Sequence, residues 1–156
     1  MLFKDIITAE CIIPDLMSRT PNEALAEMVD ALISAGELPA DLRQGVLKGL
    51  IEREAITSTG VGKGIAIPHA KHPAIKKIVG FFARSKEGVD FGAIDGKPVH
   101  LFFMLLSNQD IIQQHLQALA YSAKHLNDEI FRRFLLSAKD EREIYKLLEE
   151  ADSKTD

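Results

Sequence analysis

The chain has 156 residues, 46 % of them hydrophobic and 27 % charged, and 19 Lys and Arg against 23 Asp and Glu leave a formal charge of −4. That size suits one domain with its own core and excludes a disordered or low-complexity chain, while the mild acidity argues against nonspecific nucleic-acid binding. The single cysteine, Cys11, excludes an internal disulfide or a cysteine metal cage, and no apolar run approaches the roughly 18 residues of a membrane span.

The opening run, residues 1–15, carries acids through its apolar stretch, which does not fit a signal peptide, so a cytoplasmic protein is expected. The first strong element begins at Thr20-Pro21-Asn22-Glu23, where a capping hydroxyl, a proline at the first helical position and a glutamate three residues after the cap all favour a helix start. Leu25, Met28, Val29 and Leu32 then recur at helical spacing until Gly36. A second helix is expected after Pro39, with Leu42, Val46, Leu50 and Ile51 on one stripe, so the pair reads as a helical hairpin.

The middle of the chain changes character. Gly60, Gly62 and Gly64 interrupt a segment with no helical stripe, which reads as a loop entering a short strand, residues 64–67, stopped by Pro68. Residues 79–83 and 99–106 are compact apolar runs of buried-strand type, separated by turn chemistry at Asp90-Phe91-Gly92 and Asp95-Gly96. The last third is helical again. Ile111, Ile112, His115, Leu116, Leu119, Ala123 and Leu126 form a stripe, with His115 at its edge. Asn127 or Asp128 can cap a helix carrying Ile130, Phe131, Phe134 and Leu135, and the run to Asp140 opens a last helix with Ile144, Leu147 and Leu148. Residues 1–150 therefore read as one α/β domain, a sheet covered by helices, and residues 151–156 as a polar, frayed tail.

The glycine cluster invites a nucleotide-loop reading, which fails on spacing. A P-loop needs glycine five residues before Gly62, where Thr57 stands, and Ser or Thr after Lys63, where Gly64 stands. The dinucleotide fingerprint fails because its third glycine falls one position early. The more informative object is Gly64-Ile65-Ala66-Ile67-Pro68-His69, a histidine fixed behind a buried strand by a proline. A neutral imidazole there is nucleophilic enough to accept and release a phosphoryl group, although composition alone favours a solvated loop histidine. No G-x-S-x-G elbow presents a serine for hydrolysis.

The run Arg53-Glu54, Ser58-Thr59-Gly60 and residues 64–69 resembles the active-site signature of bacterial phosphotransferase-system enzyme IIA domains of the fructose–mannitol/nitrogen class. Residues 89–99 and His115-Leu116-Gln117-Ala118-Leu119 resemble the same family, so the likeness covers nearly the whole chain. It implies a mixed parallel and antiparallel sheet flanked by helices. By that resemblance His69 is the phosphoryl acceptor, His115 a supporting histidine and Arg53 a cation that steadies the phosphoryl charge. Ser58, Thr59 and Gly60 are possible phosphoryl contacts, and equally turn residues. The same likeness implies an HPr-like phosphocarrier as donor, and either regulatory target proteins or a IIB domain as recipients. No cofactor, metal, nucleic acid or membrane insertion is expected.

Within that family the single domain and the Ser-Thr-Gly-Val-Gly-Lys-Gly approach to His69 favour the nitrogen-regulatory type over a sugar-uptake component, with a non-phosphorylated interaction module on the same fold as the remote alternative. Two departures adjoin the site: Ala70 where a glycine is expected, and residues 107–114 where a proline-containing loop is expected. His72 is expected to be solvated, and His100 and His125 structural. Residues 55–86 hold Lys63, Lys71, Lys76, Lys77, Arg84 and Lys86 and no acid, which suggests a positive field around His69.

Overall fold

The computed structural model describes residues 1–154. Phe3–Ile6 makes one helical turn, α1, and Ile12–Ile13 a two-residue strand, β1. The helical hairpin follows the periodicity: α2 spans Pro21–Ser34, a 3-10 turn covers Ala40–Leu42 and α3 spans Arg43–Ile56. The Thr20 hydroxyl accepts from the Glu23 amide at 3.4 Å, and Gly36 ends the first helix in the left-handed region at φ 76°. Leu25, Met28, Val29 and Leu32 are fully buried against the sheet.

That sheet contains β1, β2 (Gly60–Gly62), β3 (Ile65–Ala66), β4 (His69–Lys71), β5 (Val79–Val89) and β6 (Val99–Ser107). Its centre is the antiparallel pair β5–β6; β1 lies parallel on β5, β3 and β4 lie parallel on β6, and β2 closes the edge antiparallel to β3. Residues 101–106 are buried without alternation, as in a strand covered on both faces. The structure is thus the mixed α/β sheet flanked by helices that the resemblance implies.

Two local expectations are corrected. The glycine segment is a hairpin, β2–β3, whose turn places Gly62, Lys63 and Gly64 at φ 93°, 60° and 77°. Its glycines serve backbone geometry: a Cβ on Gly60 would stand 2.8 Å from that of Ala93. Pro68, in turn, interrupts the strand without ending it. Ile65 and Ala66 pair with Leu101 and Phe102, then His69 and Ala70 pair with Leu105 and Leu106, so one register runs through the gap. The proline withholds one donor, but its carbonyl still accepts from the Leu105 amide at 2.9 Å.

The remaining helices are α4 (Ile112–Leu126), preceded by a 3-10 turn at Gln109–Ile111, α5 (Glu129–Ser137) and α6 (Glu141–Ser153). Asp128 and Asp140 cap the last two through their carboxylates. The buried stripe of α4 is His115, Ala118, Ser122 and Leu126, one step round from the apolar stripe in the sequence, and Leu116 is left 56 % exposed. His115 sits at the centre of that stripe, not at its edge. In α5 only Leu135 is fully buried, and Ile130 and Phe134 face outward.

Residues 151–153 are helix and Lys154 caps it, contrary to the frayed tail; the last two residues of that expectation, 155–156, lie outside the described residues. Asp152 is buried because it closes the other end of the chain. Its carboxylate accepts from the amides of Phe3 (2.8 Å) and Lys4 (3.0 Å) and from the Tyr121 hydroxyl (2.6 Å).

The basic segment is also dispersed by folding. Arg84 is 1 % exposed and donates to the carbonyls of Pro14, Leu135 and Ala138, at the far end of α5. Lys86 pairs with Asp15 at 3.1 Å and Lys63 bonds Asn127 at 2.6 Å. Lys71, Lys76 and Lys77 remain exposed near the end of β4. Among the described residues no helix is long and apolar enough to cross a membrane.

Candidate functional site

Strand alternation builds the site. Paired residues of parallel strands point to the same face, so His69, Lys71, Leu105 and Ser107 share one face and Ala70, His72 and Leu106 the other. The second face receives α3 through two glycines. Gly49 leaves room for the Ala70 methyl, and Gly45 lies against the His72 ring. The first face receives α4, which brings His115 over His69.

The two imidazoles meet edge to face, with ring centroids 5.5 Å apart and planes inclined by 62°. His69 Nδ1 lies 2.8 Å from the Ile67 carbonyl oxygen. A carbonyl only accepts, so Nδ1 carries the hydrogen and Nε2 of the neutral ring keeps its lone pair. Burial lowers the His69 pKa from its ordinary value; the Ile67 bond opposes this, and the charges of Arg53 and Lys71 reinforce it. His115 is 2 % exposed, and burial, with His69 and Lys71 adding, brings its pKa to about 4. Both rings are therefore neutral at pH 7, and His69 presents a nucleophilic nitrogen. His115 Nδ1 lies 2.5 Å from the Ser107 hydroxyl oxygen.

Arg53 sits in the last turn of α3 and donates from Nη1 to the Thr57 carbonyl at 2.8 Å. It acts there as a helix-end cation, and its charge still reaches His69. The neighbouring turn is tied down separately. Glu54 accepts from the Thr59 amide (2.8 Å) and hydroxyl (2.5 Å), and Ser58 donates to the Phe91 carbonyl at 2.6 Å while accepting from the Gly60 amide at 3.0 Å. The hydroxyl hydrogens of Ser58 and Thr59 and the Gly60 amide are thus already engaged within the protein.

The structure brings His69, His115 and Arg53 to one region and gives the other histidines separate work. His72 accepts from the Ala74 amide at 3.1 Å and is half-buried rather than free in solvent. His100 bonds the Ser85 carbonyl oxygen at 2.8 Å, and His125 packs in a ring cluster with Phe3, Tyr121 and Phe131. Among the described residues no three His, Cys, Asp or Glu side chains are placed to hold a metal ion. Sequence reasoning passed over Ser107 and Glu54 as individual residues. Ser107 closes an apolar run, and only the pairing with Lys71 shows that it faces α4.

Residues 5–151 match the family described as the phosphoenolpyruvate-dependent sugar phosphotransferase system, EIIA 2. The chain is 37 % identical over 148 residues to a nitrogen regulatory protein of Bradyrhizobium diazoefficiens, covering 95 % of each chain. It is 40 % identical over 131 residues to a fructose-specific EIIA component of Haloferax volcanii, covering 84 % of each. The crystal structure of the nitrogen regulatory protein IIA-Ntr from Neisseria meningitidis superposes with a TM-score of 0.83 at 31 % identity, covering 92 % of this chain and 97 % of that one. With the family matched along almost its whole length, the chain belongs to the type-2 EIIA proteins of the phosphotransferase system.

Proposed function

We propose that this protein is a cytoplasmic phosphoryl carrier of the nitrogen-regulatory type, phosphorylated on His69 by an HPr-like phosphocarrier. The observation that carries the reading is the Ile67 carbonyl 2.8 Å from His69 Nδ1, which leaves Nε2 bare beside His115. In the transfer, the Nε2 lone pair forms a new N–P bond as the N–P bond of the carrier's phosphohistidine breaks. The carrier's imidazole is the leaving group, and the hydrogen stays on His69 Nδ1, hydrogen-bonded to the Ile67 carbonyl.

The incoming group brings roughly 1.5 to 2 negative charges, so the step depends on positioned donors and cations. His115, the Arg53 guanidinium and Lys71 are the groups of this chain whose place suits that work. Ser58, Thr59 and Gly60 would touch a phosphoryl oxygen only by exchanging their present bonds, so their main part in this scheme is to hold the loop beside His69.

Incubation with enzyme I, the carrier and labelled phosphoenolpyruvate is expected to label the wild type and not His69→Ala. Equal labelling of that variant removes the assignment. Arg53→Gln is expected to slow labelling several-fold without abolishing it.

A second reading is favoured by the 40 % identity to a fructose-specific EIIA component: a sugar-uptake protein that passes its phosphoryl group to a IIB domain. Phosphotransfer to purified IIB domains, run beside a pull-down with phosphorylated and unphosphorylated protein, separates the two. A phosphohistidine detected by mass spectrometry at alkaline pH removes the remaining idea of a non-phosphorylated interaction module.

A further inference from the structure

We propose that Ser107 is a positioning residue: its buried hydroxyl holds His115 in the tautomer that carries hydrogen on Nε2, the nitrogen left to serve His69. The role in phosphoryl transfer rests on the function proposed above; the tautomer itself does not.

Ser107 is fully buried at the end of β6, and its side chain has one hydrogen-bond partner among the described residues, His115 Nδ1 at 2.5 Å. Two arrangements fit that distance. If Nδ1 donates, the hydroxyl hydrogen is left without an acceptor in a site closed to water, which carries the full desolvation penalty of that group. If the hydroxyl donates, its hydrogen and the Nδ1 lone pair satisfy each other. The second arrangement wins, and neutral His115 then carries its hydrogen on Nε2. That nitrogen has no hydrogen-bond partner among the described residues, while the ring it belongs to lies 5.5 Å from that of His69. An N–H there is a donor to a phosphoryl oxygen on His69; a bare nitrogen would repel one.

Protonated His115 would again orphan the Ser107 hydrogen, because both ring nitrogens would then donate. The hydroxyl therefore also keeps the ring neutral, in the same direction as its burial. Ser107 belongs to the segment that departs from the expected loop, so the device is built from this chain's own residues.

The test uses threonine, which keeps the hydroxyl, and valine, which has the same shape without it. Nitrogen-15 imidazole spectra at pH 7.5 should show His115 protonated on Nε2 alone in the wild type and Ser107→Thr. In Ser107→Val, Nδ1-protonated His115 should appear. Ser107→Ala, which cannot overpack the site, should repeat the valine result and stands in if valine fails to fold. Maximal phosphoryl transfer should fall about tenfold in Ser107→Val and Ser107→Ala and recover in Ser107→Thr, with little change in the carrier concentration for half-maximal rate. An unchanged His115 tautomer in the valine and alanine variants, or Nδ1 protonation in the wild type, overturns the proposal. If the tautomer shifts as expected but no variant ever labels, the phosphocarrier reading fails and the tautomer assignment stands.

Discussion

The ring of His69 is held by the carbonyl of Ile67, two residues back along its own chain, at 2.8 Å from Nδ1. The contact fixes Nε2 as the nitrogen with a free lone pair, and in the proposed transfer the surrounding burial sets the pH range over which that lone pair is available. Protonation of Nε2 removes the nucleophile, and burial moves that event below the ordinary histidine range. Initial labelling rates measured between pH 5 and 8 should therefore be flat above roughly pH 6.5 and fall only below it. Lys71→Gln removes a charge that opposes protonation, so its acid limb should lie at higher pH. A wild-type midpoint at or above the ordinary value, or an unmoved limb in the variant, contradicts this account.

His115 links the same burial to stability. Its folded pKa of about 4 lies below the roughly 6.5 of an unfolded chain, so the unfolded state binds more protons between those values. Its contribution is complete above pH 6.5 and is lost as the pH falls toward 4. Urea unfolding from pH 7.5 to 4.5 should show the wild type losing on the order of 1–3 kcal/mol more than His115→Gln. Parallel pH profiles for the two proteins would refute the linkage.

The two glycines of α3 make opposite predictions. A Cβ on Gly49 would meet the Ala70 methyl at 3.6 Å, an ordinary contact, whereas one on Gly45 would stand 2.9 Å from His72 Nε2. Gly49→Ala should raise thermal stability, since replacing a helix-interior glycine gains about 0.5–1 kcal/mol. Gly45→Ala must displace the His72 ring and its bond to the Ala74 amide, and should cancel that gain or worse. Equal shifts in melting temperature would show that the helix–strand spacing is not what separates them.

Arg84 separates stability from field effects. Arg84→Met leaves the carbonyls of Pro14, Leu135 and Ala138 without their donor, a loss of about 2–4 kcal/mol seen by chemical denaturation. Once folded, that variant should keep the wild-type salt dependence of phosphoryl transfer, because its charge is spent at the end of α5. Lys71→Gln should flatten the salt dependence instead. A flat profile in the arginine variant would restore the basic segment as one patch.

Short-range order was legible because it depends on neighbours in the chain. Thr20, Pro21 and Glu23 start a helix by satisfying its free amides, Asp128 and Asp140 do the same later, and Gly64-Ile65-Ala66-Ile67-Pro68-His69 singles out one histidine. Only packing decided the rest. Which face of α4 turns inward depends on the strand beneath it, so His115 is buried and Leu116 exposed although apolar periodicity favours the leucine. The register of β4 on β6, unbroken through Pro68, puts His69 and Ser107 on the face that α4 covers. The same folding divides the acid-free basic segment, burying Arg84 and pairing Lys86 with Asp15 while Lys71, Lys76 and Lys77 stay exposed. Sequence by itself determined the family, the main helices and His69 as the candidate acceptor; the tertiary structure decided which of its nitrogens is free and what holds its neighbour, because those contacts join residues set together only by strand register and helix facing.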